Sequence, residues 1–155
     1  MISRLNFMID KNFKNGIKFK CQGSSNCCVS HGKNGFVYIN NKDAKKIAKF
    51  LNINITNFVK DYCDRTDGFL HLKEIYKNGD CRFLKNKRCS IYKYRPTQCR
   101  TWPFWKENMN AKEWNNNIVN FCPGIGKGGK INFSKILKII NNDINNEREI
   151  INEKK

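Results

Sequence analysis

The chain has 155 residues, 39% of them apolar, a mean hydropathy of −0.69 and a formal net charge of +17. The length fits one domain of roughly 100 to 200 residues, and the low apolar content leaves a thin core that bound metal or covalent cross-links would strengthen. No apolar run is long enough for a secretory signal or a membrane span, which argues against a transmembrane segment and predicts a cytoplasmic protein.

The positive charge would ordinarily point to nucleic acid or an anionic membrane surface. The 23 lysines, however, accompany 24 asparagines and many isoleucines, the pattern that A/T-rich codons produce. They occur singly or in pairs, as at Lys45-Lys46 and Lys154-Lys155, like solvated faces. No nucleic-acid motif accompanies them, so nucleic acid stands as an alternative partner and a metal ion as the leading one.

Residues 1–18 lack strong periodicity and read as an N-terminal arm or edge element. Gly35-Phe36-Val37-Tyr38-Ile39 is rich in aromatic and branched residues and predicts a strand. Asn40 or Asn41 caps a helix with Ala44, Ile47, Ala48 and Leu51 on one face. A second helix follows with Ile55, Phe58, Val59, Tyr62 and Cys63, and the two are expected to pair as a helical hairpin. Asp67-Gly68 breaks the pattern, 69–76 alternates as a strand, and the Asn78-Gly79-Asp80 turn leads into a returning strand over Cys81-Arg82-Phe83-Leu84. That short β-hairpin would set Cys81 beside the earlier strand. Pro96 opens a helix, with Arg95 extended before it and Cys99 one turn inside. Cys122 to Gly128 reads as a glycine-rich loop. Ser134 caps a final helix carrying Leu137, Ile140, Ile144 and Ile151. These elements predict an α+β fold: a small single domain, divided as an arm at 1–18, a cysteine-cluster metal-binding domain at 19–128 and a C-terminal helix at 129–155.

The chemistry lies in eight cysteines: Cys21, Cys27, Cys28, Cys63, Cys81, Cys89, Cys99 and Cys122. In a reducing compartment so many thiols argue for metal or redox chemistry over disulfides. A closed zinc site takes four thiolates, or three with a histidine, and iron–sulfur clusters also take four, so the count leaves both open. Cys27 and Cys28 are adjacent, and in extended backbone they would face opposite sides, serving two sites or one polynuclear centre. Cys63, on a helix's apolar face, is equally well a small buried hydrophobe. His31 and His71 give little support to a catalytic triad, and His71 reads as structural or surface. Gly124-x-Gly126-x-Gly128 lacks the rest of a phosphate loop and reads as a turn that carries Cys122. Arg82, Arg88, Arg95 and Arg100 surround the later cysteines, where their charge would favour thiolates.

The stretches Phe19-Lys20-Cys21-Gln22-Gly23-Ser24-Ser25-Asn26-Cys27-Cys28, Cys81-Arg82-Phe83-Leu84, Cys89-Ser90-Ile91-Tyr92, Arg95 to Pro103 and Cys122-Pro123-Gly124 together resemble the CxxCxxCC, or YkgJ-like, cysteine-cluster family. The resemblance runs from about Phe19 to Lys127. It implies a zinc- or iron-chelating domain with ligand roles for Cys21, Cys27, Cys28, Cys81, Cys89, Cys99 and Cys122, while Cys63 matches part of the family. Ser24 stands where the full pattern has another cysteine, so the first site lacks a ligand or recruits Cys63. The family also resembles the cysteine-cluster part of flagellin lysine methylases. The leading expectation is therefore a cysteine-cluster protein that binds zinc or iron, the latter alone or as an iron–sulfur cluster. The alternatives are an iron–sulfur-dependent redox or group-transfer enzyme and a structural-zinc module that binds nucleic acid.

Overall fold

The computed structural model describes residues 9–29, 35–74 and 79–155. His31 and the end of the strand expected over 69–76 lie outside them. In chain order the elements begin with a 3-10 turn (Lys11–Asn15), β1 (Ile17–Phe19), a second 3-10 turn (Asn26–Cys28), α1 (Asn41–Phe50) and α2 (Ile55–Tyr62). Then come β2 (Cys63–Thr66), β3 (Phe69–Leu72), β4 (Leu84–Lys85), β5 (Arg88–Cys89), a 3-10 turn (Tyr92–Tyr94) and α3 (Thr97–Thr101). After a 3-10 turn (Lys106–Asn108) follow α4 (Ala111–Glu113), a π-helical turn (Trp114–Ile118), α5 (Val119–Phe121), β6 (Ile125–Ile131) and α6 (Phe133–Asn152). The strands pair antiparallel as β1–β6, β2–β3 and β4–β5, which makes the chain α+β as expected. No helix among the described residues is long and apolar enough to cross a membrane.

The contacts divide the chain into two compact units, one of residues up to 24 with 101–144, the other of 25–100 with 145–155. In the first, Ile9, Phe13 and Ile17 bury themselves among Phe104, Met109, Trp114, Ile118 and Ile136, Leu137, Ile140. Residues 9–19 thus end in an edge strand, and Phe13 meets Trp114 edge to face at 5.2 Å. The glycine-rich stretch corrects the expectation of a loop: 125–131 is a strand. Lys18 pairs with Lys130 and Phe19 with Ile125, so residues 126–129 bulge from the ladder. Gly126 and Gly128, at φ 79° and 68°, supply the left-handed backbone that the bulge requires. The cap of α6 is Asn132, whose Oδ1 accepts from Lys135 N at 2.9 Å, and not Ser134, which lies inside the helix. Thr101 Oγ1 donates to Asp143 Oδ1 at 2.6 Å and accepts from Trp105 Nε1 at 3.1 Å.

In the second unit Ala44, Ile47 and Ala48 of α1 pack with Phe58 of α2, Leu70 and Leu72 of β3, Phe83 and Ile91. Asn40 caps α1 by accepting from Asp43 N at 2.7 Å, and Asn54 caps α2 by accepting from Asn57 N at 2.8 Å. The two helices form the expected hairpin around Asn52, whose φ of 55° ends the first. α2 stops at Tyr62, so Cys63 opens β2 instead of closing a helical face. β2 returns as β3 across Asp67-Gly68, both at positive φ (51° and 84°), which is the signature of a two-residue hairpin turn.

The strand expected over 35–39 reduces to one bridge, Tyr38 to His71, with Ile39 N donating to Leu70 O at 3.0 Å. The returning strand over 81–84 likewise reduces to a bridge from Cys81 to Glu74, which still sets Cys81 beside the earlier segment. The hairpin at 84–89 was not anticipated; it turns on Asn86 and Lys87, at φ 50° and 58°. The chain end is tied in as well: Asn40 Nδ2 donates to Asn146 Oδ1 (2.9 Å) and Glu149 Oε2 (2.6 Å), and Lys155 N donates to Gly68 O (3.2 Å).

Candidate metal centre

Five cysteines of the second unit come together, carried by four separate pieces of local structure. Cys27 and Cys28 occupy the 3-10 turn that follows Ser25, itself left-handed at φ 65°. The Ser25 hydroxyl donates to the Lys87 carbonyl in the turn of the β4–β5 hairpin, and Cys81 N donates to Cys28 O at 2.8 Å. Those bonds fasten the turn to both cysteine-bearing segments that follow. Cys89 ends β5 opposite Leu84, and Cys99 lies in α3.

Asp43 places α3. Its Oδ2 accepts from Thr97 N at 2.5 Å and its Oδ1 lies 3.4 Å from Arg100 Nη2, while Asp43 itself is 3% exposed. The carboxylate thus satisfies an orphan donor at the helix N-terminus, where negative charge is favoured. Gln98, the next residue, accepts from Tyr38 N at 2.9 Å and donates to Phe36 O at 3.3 Å. Neither Asp43 nor Gln98 was among the candidate residues. The available signal was an acid standing beside Ala44, Ile47 and Ala48 on the inner face of α1.

The thiols interact closely. Hydrogen bonding with Cys28 lowers Cys27 and Cys89 to about 7 each, while the same contacts push Cys28 up. Burial raises Cys81 to about 11, with the charges of Cys89 and Cys27 adding to it. Cys99 is raised well above the ordinary thiol range by burial and then by Cys81, Cys27 and Cys89. The adjacent pair therefore does not face opposite sides. The backbone there is a 3-10 turn, so the extended-chain premise fails, and Cys28 bonds with both Cys27 and Cys89.

Of the four arginines, Arg95 lowers Cys27, Cys89 and Cys99. Arg100 is instead held by Asp43, the Arg95 carbonyl and Thr97 Oγ1, and the Arg82 guanidinium lies 4.7 Å from the Tyr62 ring centre.

Three cysteines and His71 remain to be placed. Cys63 is 4% exposed within the second unit's apolar cluster, and burial pushes it up to about 12; the charges that act on it are Lys73, Asp64 and Arg65. Cys21 and Cys122 belong to the first unit, at the end of the β1–β6 pair where Lys20 N donates to Gly124 O at 3.0 Å. His71 is 3% exposed and held between Thr66 Oγ1 and the Leu72 carbonyl, each at 3.0 Å, which bears out its structural reading.

Among the described residues no three Cys, His, Asp or Glu side chains already form a shell around one point. What the five thiols offer is a donor set of sulfur alone, which suits zinc, iron or an iron–sulfur cluster and not magnesium or calcium. A cleft of about 270 Å³, counted to its open mouth, reaches Cys27, Cys28 and Cys81 past Lys73 and Glu74, so solvent has access to the group.

Thiolate is the reacting form in alkylation, so the two lowered thiols should react first. Lowering from 9.0 to about 7 gives roughly fifty times more thiolate at neutral pH. Against that stands a roughly eightfold loss of intrinsic nucleophilicity, a net gain of about sixfold. Peptide mapping after brief iodoacetamide treatment of metal-free protein should find Cys27 and Cys89 modified ahead of Cys63, Cys81 and Cys99. Their rate should rise through about pH 7.

A family model described as "Putative zinc- or iron-chelating domain" matches residues 20–123. The chain is also 32% identical over 126 residues to an uncharacterised protein of Methanocaldococcus jannaschii, MJ0661, covering 77% of this chain and 65% of that protein. The chain thus spans less than two-thirds of that relative's length. No solved structure matches it.

Proposed function

The chain belongs to the CxxCxxCC family, and on that premise we propose that Cys27, Cys28, Cys81, Cys89 and Cys99 form a thiolate centre that chelates zinc or iron. The observation that carries this reading is the convergence of these five thiols from separate segments of one unit: Cys81 N bonds to Cys28 O, and Cys27, Cys28 and Cys81 line one cleft, while Cys89 and Cys99 lie near enough for their charges to act on the group.

Near neutral pH this group is part ionised before any metal arrives. Binding then expels the Cys28 proton and those of the buried donors, so uptake releases protons and strengthens as pH rises. The residues around the sulfurs hold them in place: Asp43 fixes α3, Ser25 fixes the Cys27–Cys28 turn, and Arg95 offsets the thiolate charge. Bound zinc would staple together segments that have little regular structure of their own, whereas iron or an iron–sulfur cluster would add a redox couple. The resemblance implies Cys21 and Cys122 as further donors. The cleft at Cys27, Cys28 and Cys81 favours a second reading, in which an iron–sulfur centre serves a redox or group-transfer reaction on a small substrate.

Elemental analysis, acid-labile sulfide and an absorption spectrum of protein purified without oxygen test the proposal. Zinc or iron in stoichiometric amount is expected. Iron with sulfide and a brown chromophore supports the enzymatic reading, and colourless zinc supports the structural one. A protein that carries no metal and takes up none from zinc or ferrous salts, with all its thiols reduced, would overturn both.

A further inference from the structure

Two of the most exposed large apolar side chains are aromatic, Phe50 at 44% and Tyr92 at 47%, and in the second unit Phe50 packs on the turn that carries Tyr92. Phe50, at the end of α1, stacks on Tyr94 with ring centres 4.4 Å apart. Tyr92 precedes Tyr94 in the same 3-10 turn, and the Arg95 guanidinium covers its ring at 4.0 Å. Basic residues flank these rings along the chain, and the Lys93 ammonium lies 6.0 Å from the Tyr94 ring centre. Lys46 lies one helical turn from Phe50 on the same face of α1, and Lys49 is its neighbour; both are exposed. The segment from Cys81 to Arg100 carries seven basic residues and no acidic one. Of these, Lys85, Lys87, Arg88 and Lys93 are exposed on the β4–β5 hairpin and the turn that follows. The acid of α1, Asp43, is buried against Arg100, so it does not offset the surface charge. A codon bias toward lysine explains a high total charge, but it does not explain exposed, stacked aromatics within a stretch free of acids.

We infer that this surface of Phe50, Tyr92, Tyr94 and their flanking lysines binds single-stranded nucleic acid, with the lysines on phosphates and the rings beneath bases. Exposed aromatic side chains among cations are what sequence-tolerant single-strand binding uses, because bases stack on them, and each neutralised phosphate adds salt dependence. The inference stands without the metal reading, because none of these side chains is a proposed ligand.

The test is fluorescence anisotropy of the full chain, as purified, with labelled oligo(dT) and oligo(rU) of about 20 nucleotides, a length that spans one such site. With about four phosphate contacts, affinity should fall roughly fiftyfold between about 50 and 200 mM salt. Phe50→Ala and Tyr92→Ala should each weaken binding about tenfold, while Tyr92→Phe retains it. Lys46→Ser/Lys85→Ser/Lys93→Ser should weaken it far more than Lys127→Ser/Lys130→Ser/Lys135→Ser, which removes equal charge from the first unit. A preference for oligo(rU) over oligo(dT) would assign RNA, and the reverse DNA. Four results would each overturn the inference: no binding at low salt, equal loss in the two triple variants, full retention in both alanine variants, or tighter association with phosphatidylserine vesicles than with either oligonucleotide.

Discussion

Cys28→Ser should weaken zinc or iron binding by at least about a hundredfold, because groups that merely orient a ligand already contribute ten- to hundredfold. Cys28 is the centre of the thiol group, hydrogen-bonded with both Cys27 and Cys89. Serine keeps the size and the donor hydrogen but is a poor ligand for a thiophilic metal. The substitution therefore separates two roles: Cys27 and Cys89 should still react readily with iodoacetamide in Cys28→Ser, while metal retention is lost. Cys63→Ala is the contrasting variant. Cys63 sits in the apolar cluster without a thiol among the charges acting on it, so metal content should be unchanged and stability should fall by about 1 kcal/mol for the lost apolar contact. Metal analysis after dialysis against a weak chelator, with thermal melts, reads both. Equal metal loss in the two variants would remove the distinction drawn between them.

Asp43→Ala should lower stability by about 2–4 kcal/mol and, in the protein that remains folded, weaken metal binding roughly ten- to a hundredfold. Most of the stability loss comes from Thr97 N, which loses its bond to Asp43 Oδ2 at a helix start that is 6% exposed. The Arg100 contact adds little, since its side chain is 30% exposed and keeps two other acceptors. The metal effect arises because α3 carries Cys99, and Asp43 holds that helix by its first turn. Asp43→Asn keeps an acceptor for Thr97 N and should recover a large part of both losses. For a chain of this size the melting midpoint of Asp43→Ala should fall by roughly 5–15 °C. If metal affinity were untouched while stability fell as expected, Asp43 would be a structural residue without influence on the site.

Much of this could be read from the sequence where local signals agree. The period of Ala44, Ile47 and Ala48 and the caps at Asn40 and Asn54 yield α1 and α2, and Pro96 marks the start of α3. The order of the cysteines was enough to single out the family. Other features depend on contacts that no local pattern encodes. A two-residue strand such as β4 or β5 has no period to detect. Its hairpin depends on left-handed Asn86 and Lys87, a pair less diagnostic than Asn-Gly.

The stretch from Ile125 to Ile131 reads as a loop because four of the flanking and enclosed positions, Gly124, Gly126, Gly128 and Gly129, are glycines. Pairing with β1 overrides that weak propensity and leaves Gly126, Gly128 and Gly129 in the bulge. The Cys27–Cys28 pair misled for a related reason: side-chain direction depends on backbone state, and Ser25 at positive φ turns the chain into a 3-10 step. Asp43 was passed over because a single acid in an amphipathic helix ordinarily faces solvent, and only the position of Thr97 shows what it binds.

X-ray absorption at the edge of the bound metal addresses the central claim most directly, because it reads the atoms around the metal. The thiolate centre predicts a first shell of sulfur alone, at about 2.3 Å for zinc, and its disappearance in Cys28→Ser. A first shell of nitrogen and oxygen at about 2.0–2.2 Å, unchanged by that substitution, would contradict it and place the metal away from the cysteine cluster.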